Sequence, residues 1–210
     1  MRIDRAAVPF VALAAAPVVV LALAGQPTLA VVAIALPVAI ALFFRDPDRA
    51  PTSDRRAVLA PADGKVMFAG DAPEKAAPNG QWRQVTIFLS LLDVHINRTP
   101  VAGRVMRVDY VPGTFVPAYR DDARKNEHSE IWIEHDGETI VTRQVVGVLA
   151  RRVVCRVKRG DELAAGERIG LMKFGSRMDV FVPPSATLTV ATGDSVRAGE
   201  TIIARLTSGE

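Results

Sequence analysis

Gly160-Asp161-Glu162-Leu163-Ala164-Ala165-Gly166-Glu167-Arg168-Ile169 returns near the end of the chain as Gly193-Asp194-Ser195-Val196-Arg197-Ala198-Gly199-Glu200-Thr201-Ile202, so G-D-x-x-x-A-G-E-x-I is written twice. Each copy sets two glycines around a short segment, the composition of tight turns between short strands. An earlier echo has the same character: Pro61-Ala62-Asp63-Gly64-Lys65-Val66 matches Pro100-Val101-Ala102-Gly103-Arg104-Val105. Period-two runs such as Val85-Thr86-Ile87-Phe88-Leu89, Ile131-Trp132-Ile133 and Thr187-Leu188-Thr189-Val190 read as strands, and long helical periodicity is missing after Ala57. The expected fold is mainly β, a pseudo-symmetric β-sandwich or flattened barrel with repeated hairpins. Asp71 to Gln81 and Pro112 to Glu130 read as loops, the second charged and long enough to be a mobile flap.

Before that domain the chain changes character. It has 210 residues, 49% hydrophobic and 23% charged, and its apolar residues are gathered at the front. From Ala6 to Phe44 there is no Asp, Glu, Lys or Arg, about twice the length one bilayer span requires. Gly25-Gln26-Pro27-Thr28 divides the block, so residues 1–48 are expected to form a two-helix membrane anchor with spans of about 6–24 and 29–44. Pro9, Pro17 and Pro37 are expected to kink them. Arg2 and Arg5 flank one end and Arg45 and Arg49 the other, which puts both ends in the cytoplasm. Residues 49–210 then form a domain on the cytoplasmic face of the cell (inner) membrane. A cleaved signal peptide fits poorly, because a second apolar run follows before any mature polar sequence. A buried core hairpin fits poorly as well, given two adjacent charge-free runs.

The formal net charge is +3. Arg143, Arg151, Arg152, Arg156, Lys158 and Arg159 lie between Glu138 and Asp161 with no acid among them. Beside a bilayer such a stretch attracts anionic headgroups; a solvated strand face is the plainer reading, and no nucleic-acid partner is expected. Cys155 stands alone among Val153, Val154 and Val157 and reads as a small core residue in a reducing compartment.

Gly175-Ser176 sits between the two repeats, inside Met172-Lys173-Phe174-Gly175-Ser176-Arg177-Met178-Asp179-Val180. Glycine there permits backbone geometry that other residues resist, and a serine hydroxyl can attack the preceding carbonyl once a base takes its proton. Of the three histidines, His128 and His135 lie in charged surroundings and read as solvated. His95 lies in the strand-like Leu92-Asp93-Val94-His95-Ile96-Asn97-Arg98-Thr99-Pro100, where it reads as the base or as a satisfied structural histidine. Either Asp63 or Asp93 could orient its ring, and spacing leaves both open.

Five stretches taken together, Phe43-Phe44-Arg45-Asp46-Pro47, Pro61-Ala62-Asp63-Gly64, Val94-His95-Ile96-Asn97-Arg98, Asn126-Glu127 and Phe174-Gly175-Ser176-Arg177, resemble in order the pyruvoyl-dependent phosphatidylserine decarboxylase proenzymes of the short, archaeal-type branch. The resemblance implies that Asp63 orients His95, His95 deprotonates Ser176, and the chain cleaves itself between Gly175 and Ser176. It implies a β chain of residues 1–175 and an α chain of 176–210, which stay together as partners. Ser176 becomes a covalent pyruvoyl group that forms a Schiff base with substrate and needs no metal or external cofactor. The implied reaction converts the membrane phospholipid phosphatidylserine to phosphatidylethanolamine and CO2; a homo-oligomer is compatible with it. Two positions depart from the pattern. Leu92 stands where some relatives of the longer branch carry a second histidine, and His128 follows Asn126-Glu127 where members often show arginine. Lys173 and Arg177 are near enough in sequence to bind the headgroup carboxylate.

Three other functions compete. Leu171-Met172-Lys173 between glycine turns is similar to the modified-lysine hairpin of biotinyl and lipoyl carriers, but Phe174 replaces the usual methionine and a carrier has no need of an anchor. An export-system adaptor would carry long helical hairpins. A soluble pyruvoyl decarboxylase acting on a free amino acid would lack the anchor.

Overall fold

Two compact units make up the chain, Met1–Asp48 and Arg49–Glu210. The computed structural model describes residues 1–74, 77–148, 153–173 and 175–207. Arg151, Arg152 and Phe174, singled out above, lie outside the described residues, as does part of the Asp71–Gln81 loop.

In the first unit Asp4 caps the entry to the helices, its Oδ1 accepting the Ala6 N–H at 2.9 Å. Helix α1 (Val8–Leu23) follows, with Pro9 in the first turn, where a missing N–H costs nothing, and Pro17 inside. The second apolar run folds as two pieces, α2 (Pro27–Ala33) and α3 (Ala35–Phe43). The break at Ile34 follows from Pro37, which has no N–H for the Ala33 carbonyl and whose ring crowds that oxygen. Among the described residues one helix, Arg5–Leu23, is long and apolar enough to cross a membrane; Pro27–Phe43 is shorter. Leu13, Val20 and Leu23 of α1 are exposed, so its apolar surface is not used up within the unit. The unit's ends are tied by strand β1 (Arg2–Ile3) pairing antiparallel with β2 (Arg45–Asp46).

The second unit is mainly β. In chain order its strands are β3 (Ala57–Leu59), β4 (Gly64–Asp71), β5 (Arg83–Leu89), β6 (Ile96–Arg98), β7 (Gly103–Val111), β8 (His128–His135), β9 (Glu138–Val145), β10 (Val154–Cys155), β11 (Glu162–Leu163), β12 (Arg168–Leu171), β13 (Ser176–Val182), β14 (Thr187–Leu188), β15 (Ser195–Val196) and β16 (Ile202–Arg205). A curled eight-stranded sheet runs β11-β7-β8-β9-β13-β5-β4-β15, flanked by the three-stranded sheets β10-β12-β6 and β14-β16-β3. These orders are related by a pseudo-two-fold axis between β9 and β13, which exchanges β3–β5 with β6–β8 and β14–β16 with β10–β12.

The repeated glycines build this symmetry. The Gly193 N–H bonds Val66 O and the Gly160 N–H bonds Val105 O, both at 2.8 Å; the Gly199 N–H bonds Ala60 O at 2.8 Å and the Gly166 N–H bonds Thr99 O at 3.1 Å. Each G-D hairpin thereby lays an edge strand, β15 or β11, against β4 or β7. Gly64 and Gly103 open those two strands at φ 151° and 149°. A Cβ at either would strike a main-chain carbonyl oxygen, that of Phe88 or Glu134.

One face of the sheet carries the core, including Val85, Ile87, Leu89, Ile131, Ile133, Met178 and Val180, all fully buried. The opposite face of the central strands is also buried, although period-two reasoning expects it to be wet. There Arg143 donates to Glu130 Oε1 from Nε and Nη2 at 2.8 and 2.5 Å, and its guanidinium lies 4.9 Å from the Phe181 ring. Arg177 donates to Asp179, and Thr86 and Gln84 extend the chain of bonds. Arg143 is therefore a buried partner of Glu130, not part of a solvated basic face. His128 and His135 are buried as well, which corrects their reading as solvated. His128 is covered by this polar layer, and the His135 ring nitrogens lie 2.7 Å from the carbonyl oxygens of Ala102 and Arg55. Cys155 packs at the core's edge as expected, and burial pushes its thiol pKa up.

Candidate active site at Gly175 and Ser176

Ser176 opens β13, a strand held on both sides: Ser176 lies opposite Leu89 of β5, and Arg177 opposite Val145 of β9. Its side chain faces the core and is fully buried, and its hydroxyl donates to Lys173 O at 3.1 Å. That bond closes a short turn ahead of the strand. Within it Gly175 adopts φ 73°, the left-handed region, and a Cβ placed there would meet nothing within 4 Å among the described residues. Glycine is therefore needed for the backbone angle and not for space. The Gly175–Ser176 bond thus joins a turn to a fixed strand, with open volume on the glycine side.

His95 is 2% exposed and immediately precedes β6. Its main-chain oxygen accepts from the Met172 N–H at 3.2 Å, and Ile96 pairs with Leu171, so its backbone runs beside the segment that leads into Gly175. His95 Nδ1 lies 2.9 Å from Asp93 O. A carbonyl can only accept, so the neutral ring carries its proton on Nδ1 and keeps the lone pair on Nε2. The Asp93 carboxylate is used elsewhere: its Oδ2 accepts from Ser90 N and Oγ, both at 2.7 Å.

Asp63 accepts the Ala198 N–H at 2.8 Å on one oxygen and Arg49 Nη2 at 2.7 Å on the other. Its turn reaches β6 through the Arg98 N–H, which bonds Pro61 O at 2.9 Å. The structure thus sets the Asp63 turn beside the strand that follows His95, with the carboxylate itself engaged by Arg49 and Ala198. Arg49, read above only as a charge flanking the anchor, is largely buried and also bonds Glu200 of the second repeat at 3.1 Å. The signal for this role was the unequal mate of Asp63: the symmetry-related position is Ala102. Arg177 is spoken for by Asp179 at 2.9 Å, which removes it as a free ligand for a carboxylate. Lys173 contributes its carbonyl to the Ser176 hydroxyl.

An apolar pocket of about 260 Å³ opens at Gly175, lined also by Phe88, Leu91, Pro117, Ala118, Tyr119 and Val148. Its outer wall belongs to the loop between β7 and β8, which is not loosely held. Asn126, fully buried, accepts from Thr114 Oγ1 and the Val116 N–H and donates to Val116 O and Val146 O, at 2.7 to 3.1 Å. All four hydrogen-bonding positions of the amide are filled, which clasps the loop's two ends to the end of β9. Asn126 was visible in sequence only as part of a short motif; nothing local marks it as a clasp. A second cleft, of about 530 Å³, contains Asp63, Ser90 and Asp93. His128 lies one strand over from β9, its Nδ1 bonding Asn126 O at 2.7 Å. Burial holds its pKa below the ordinary 6.5 of the imidazole, the bond to Asn126 O opposes this, and nearby Arg143 adds to it.

Comparison with known proteins shows the family. The family model for phosphatidylserine decarboxylase matches residues 38–204. Phosphatidylserine decarboxylase proenzymes of Geotalea uraniireducens (strain Rf4), Solibacter usitatus (strain Ellin6076) and Geobacter metallireducens are 42%, 44% and 40% identical. The matches cover 93%, 92% and 94% of this chain and 92%, 91% and 94% of those relatives. With a matched segment that contains Asp63, His95 and the Gly175–Ser176 bond, the chain belongs to the phosphatidylserine decarboxylase family of carboxy-lyases.

Proposed function

We propose that this chain is a self-cleaving proenzyme that decarboxylates phosphatidylserine to phosphatidylethanolamine with a pyruvoyl group made from Ser176. The observation that carries the reading is the Gly175–Ser176 turn, a left-handed glycine followed by a buried serine at the head of a doubly paired strand. His95 Nε2 takes the proton from Ser176 Oγ as that oxygen bonds the Gly175 carbonyl carbon. Breaking the C–N bond returns a proton to the Ser176 nitrogen and leaves Gly175 esterified to Oγ. Loss of the Ser176 α-proton with departure of Oγ frees residues 1–175 as a carboxylate. Water then displaces ammonia from the dehydrated residue and leaves a ketone at the start of residues 176–210.

The site fits such a group. Ser176 stays anchored by β5 and β9 after the cut, and the volume on the Gly175 side admits a substrate. The pyruvoyl carbonyl supplies the sink for the electron pair left as CO2 departs. Asp63 is the acid of the proposed triad; in the resting structure its carboxylate holds Arg49 and Ala198 and the His95 Nδ1–H is on Asp93 O, so orienting the ring requires that proton to pass from Asp93 O to the Asp63 carboxylate. His95, with no histidine at Leu92, is the group available to return a proton after decarboxylation. Residues 1–48 act as the anchor and residues 49–210 as the catalytic domain on the cytoplasmic face; the exposed apolar surface of α1 and the flanking arginines support this.

A denaturing gel with intact mass tests the reading. Two chains split after Gly175 are expected, with the smaller lighter than its sequence mass by one ammonia, and Ser176→Ala is expected to remain one inactive chain. Splitting of Ser176→Ala at the same bond would overturn the mechanism, and added mass on Lys173 would favour a carrier.

A further inference from the structure

The turn between β5 and β6 places two leucines in water on a rigid support. Ser90-Leu91-Leu92-Asp93 is closed by the two bonds to Asp93 Oδ2 and by the Asp93 N–H on Ser90 O at 3.1 Å. So fixed, Leu91 is 53% and Leu92 84% exposed. Serine or lysine would hold the same turn, so folding gives no reason for apolar side chains here. Leu91 also lines the pocket at Gly175, where Tyr119 and Val148 are exposed at 61% and 46%. An apolar rim therefore runs from the turn tip to the glycine of the cleavage site.

We propose that this rim is a lipid-docking surface: the Leu91–Leu92 tip enters the bilayer interface, and the pocket between Phe88 and Tyr119 receives the first part of a substrate acyl chain. The inference rests on the phospholipid reading above. A phosphatidylserine headgroup at residue 176 brings its glycerol and first methylenes to the adjoining wall, which is apolar. About 260 Å³ suits a chain segment and not a whole diacyl lipid. Tyr119, with an apolar ring and a polar tip, has the character of side chains at the membrane interface. A second copy of this chain is a poorer occupant, since a two-residue tip falls far short of the roughly 800 Å² per partner of a stable dimer.

The test uses the full chain reconstituted in phosphatidylcholine vesicles containing phosphatidylserine. Leu92→Cys is labelled with an environment-sensitive fluorophore, with Glu162→Cys on edge strand β11 as the exposed comparison, both in a Cys155→Ser background so that the introduced thiol alone reacts. The label at position 92 should be quenched by acyl-chain spin labels several-fold more than the label at 162. The same result in a Ser176→Ala background separates docking from chemistry, because insertion needs no cleavage. In addition, Leu92→Ser should lower the ratio of kcat/KM on vesicle phosphatidylserine to that on monomeric dihexanoyl phosphatidylserine about tenfold, a ratio independent of the cleaved fraction. Equal quenching at 92 and 162, an unchanged substrate ratio, or a label response that follows protein concentration instead of lipid would overturn the proposal, the last in favour of self-association.

Discussion

His95 and His128 meet the same difficulty, a titratable ring out of water, and both place Nδ1 on a main-chain oxygen two residues back. At His128 the surroundings allow a pH test. Its folded pKa is depressed by burial, so as pH falls through about 6.5 the unfolded chain takes up a proton that the native state does not, and stability declines. The unfolding midpoint of the wild type should therefore drop more between about pH 7 and pH 5.5 than that of His128→Gln. Equal slopes would show that His128 titrates alike in both states. Of the two burials, only that of His95 was legible locally. The charged neighbours of His128 suggest solvent, yet Glu130 and Arg143 face each other across β8 and β9 and help to cover the ring, an arrangement set by strand register. His95 stood out because its own neighbours are strand-like. The choice between Asp63 and Asp93 could not be made from spacing, since each carboxylate satisfies donors far away or in its own turn.

At the scale of elements, glycine carried most of the legible information. The two G-D-x-x-x-A-G-E copies and the two Pro-x-x-Gly starts name the hairpins and strand entries that generate the sheet order, because Gly64 and Gly103 leave room for a main-chain oxygen and the repeat glycines turn the chain at positive φ. Gly103→Ala should consequently cost about 3 kcal/mol or more, since a Cβ would collide with Glu134 O and force β7 from β8. Gly137→Ala, with φ 84° but nothing within 4 Å, should cost about 1 kcal/mol from backbone strain alone. Urea midpoints of the two variants check the difference; similar losses would mean that strain and not contact dominates. The break at Ile34 was foreshadowed by Pro37, whereas the clasp at Asn126 was not: its partners Thr114, Val116 and Val146 have no shared pattern along the chain.

For the whole molecule, pseudo-symmetry explains why the fold was easier to read than the site. Repetition writes the architecture twice, and the places proposed to serve chemistry are where the halves differ: Asp63 against Ala102, and a strand that begins with serine beside one that ends at Val145. The polar layer across the sheet's other face had no sequence signal at all. Alternation there marks residues that point away from the core, and only the assembled sheet shows that Arg143, Glu130, Arg177 and Asp179 cover one another.

The cut proposed before Ser176 gives the strand that begins there a kinetic meaning. Before the cut, folding is a reaction of one molecule; afterwards the native state is an assembly of two, and β13 to β16 supply a central strand, one edge of the large sheet and the partner of β3. Nothing covalent then sets the local concentration of the shorter chain, so recovery from denaturant should become second order and slow on dilution. Uncleaved Ser176→Ala should recover at a rate independent of concentration. Measured side by side, the two would show maturation exchanging reversible stability for a lifetime, with the enzyme persisting for as long as the ladders of β13 with β5 and β9, of β15 with β4 and of β16 with β3 keep its halves from parting.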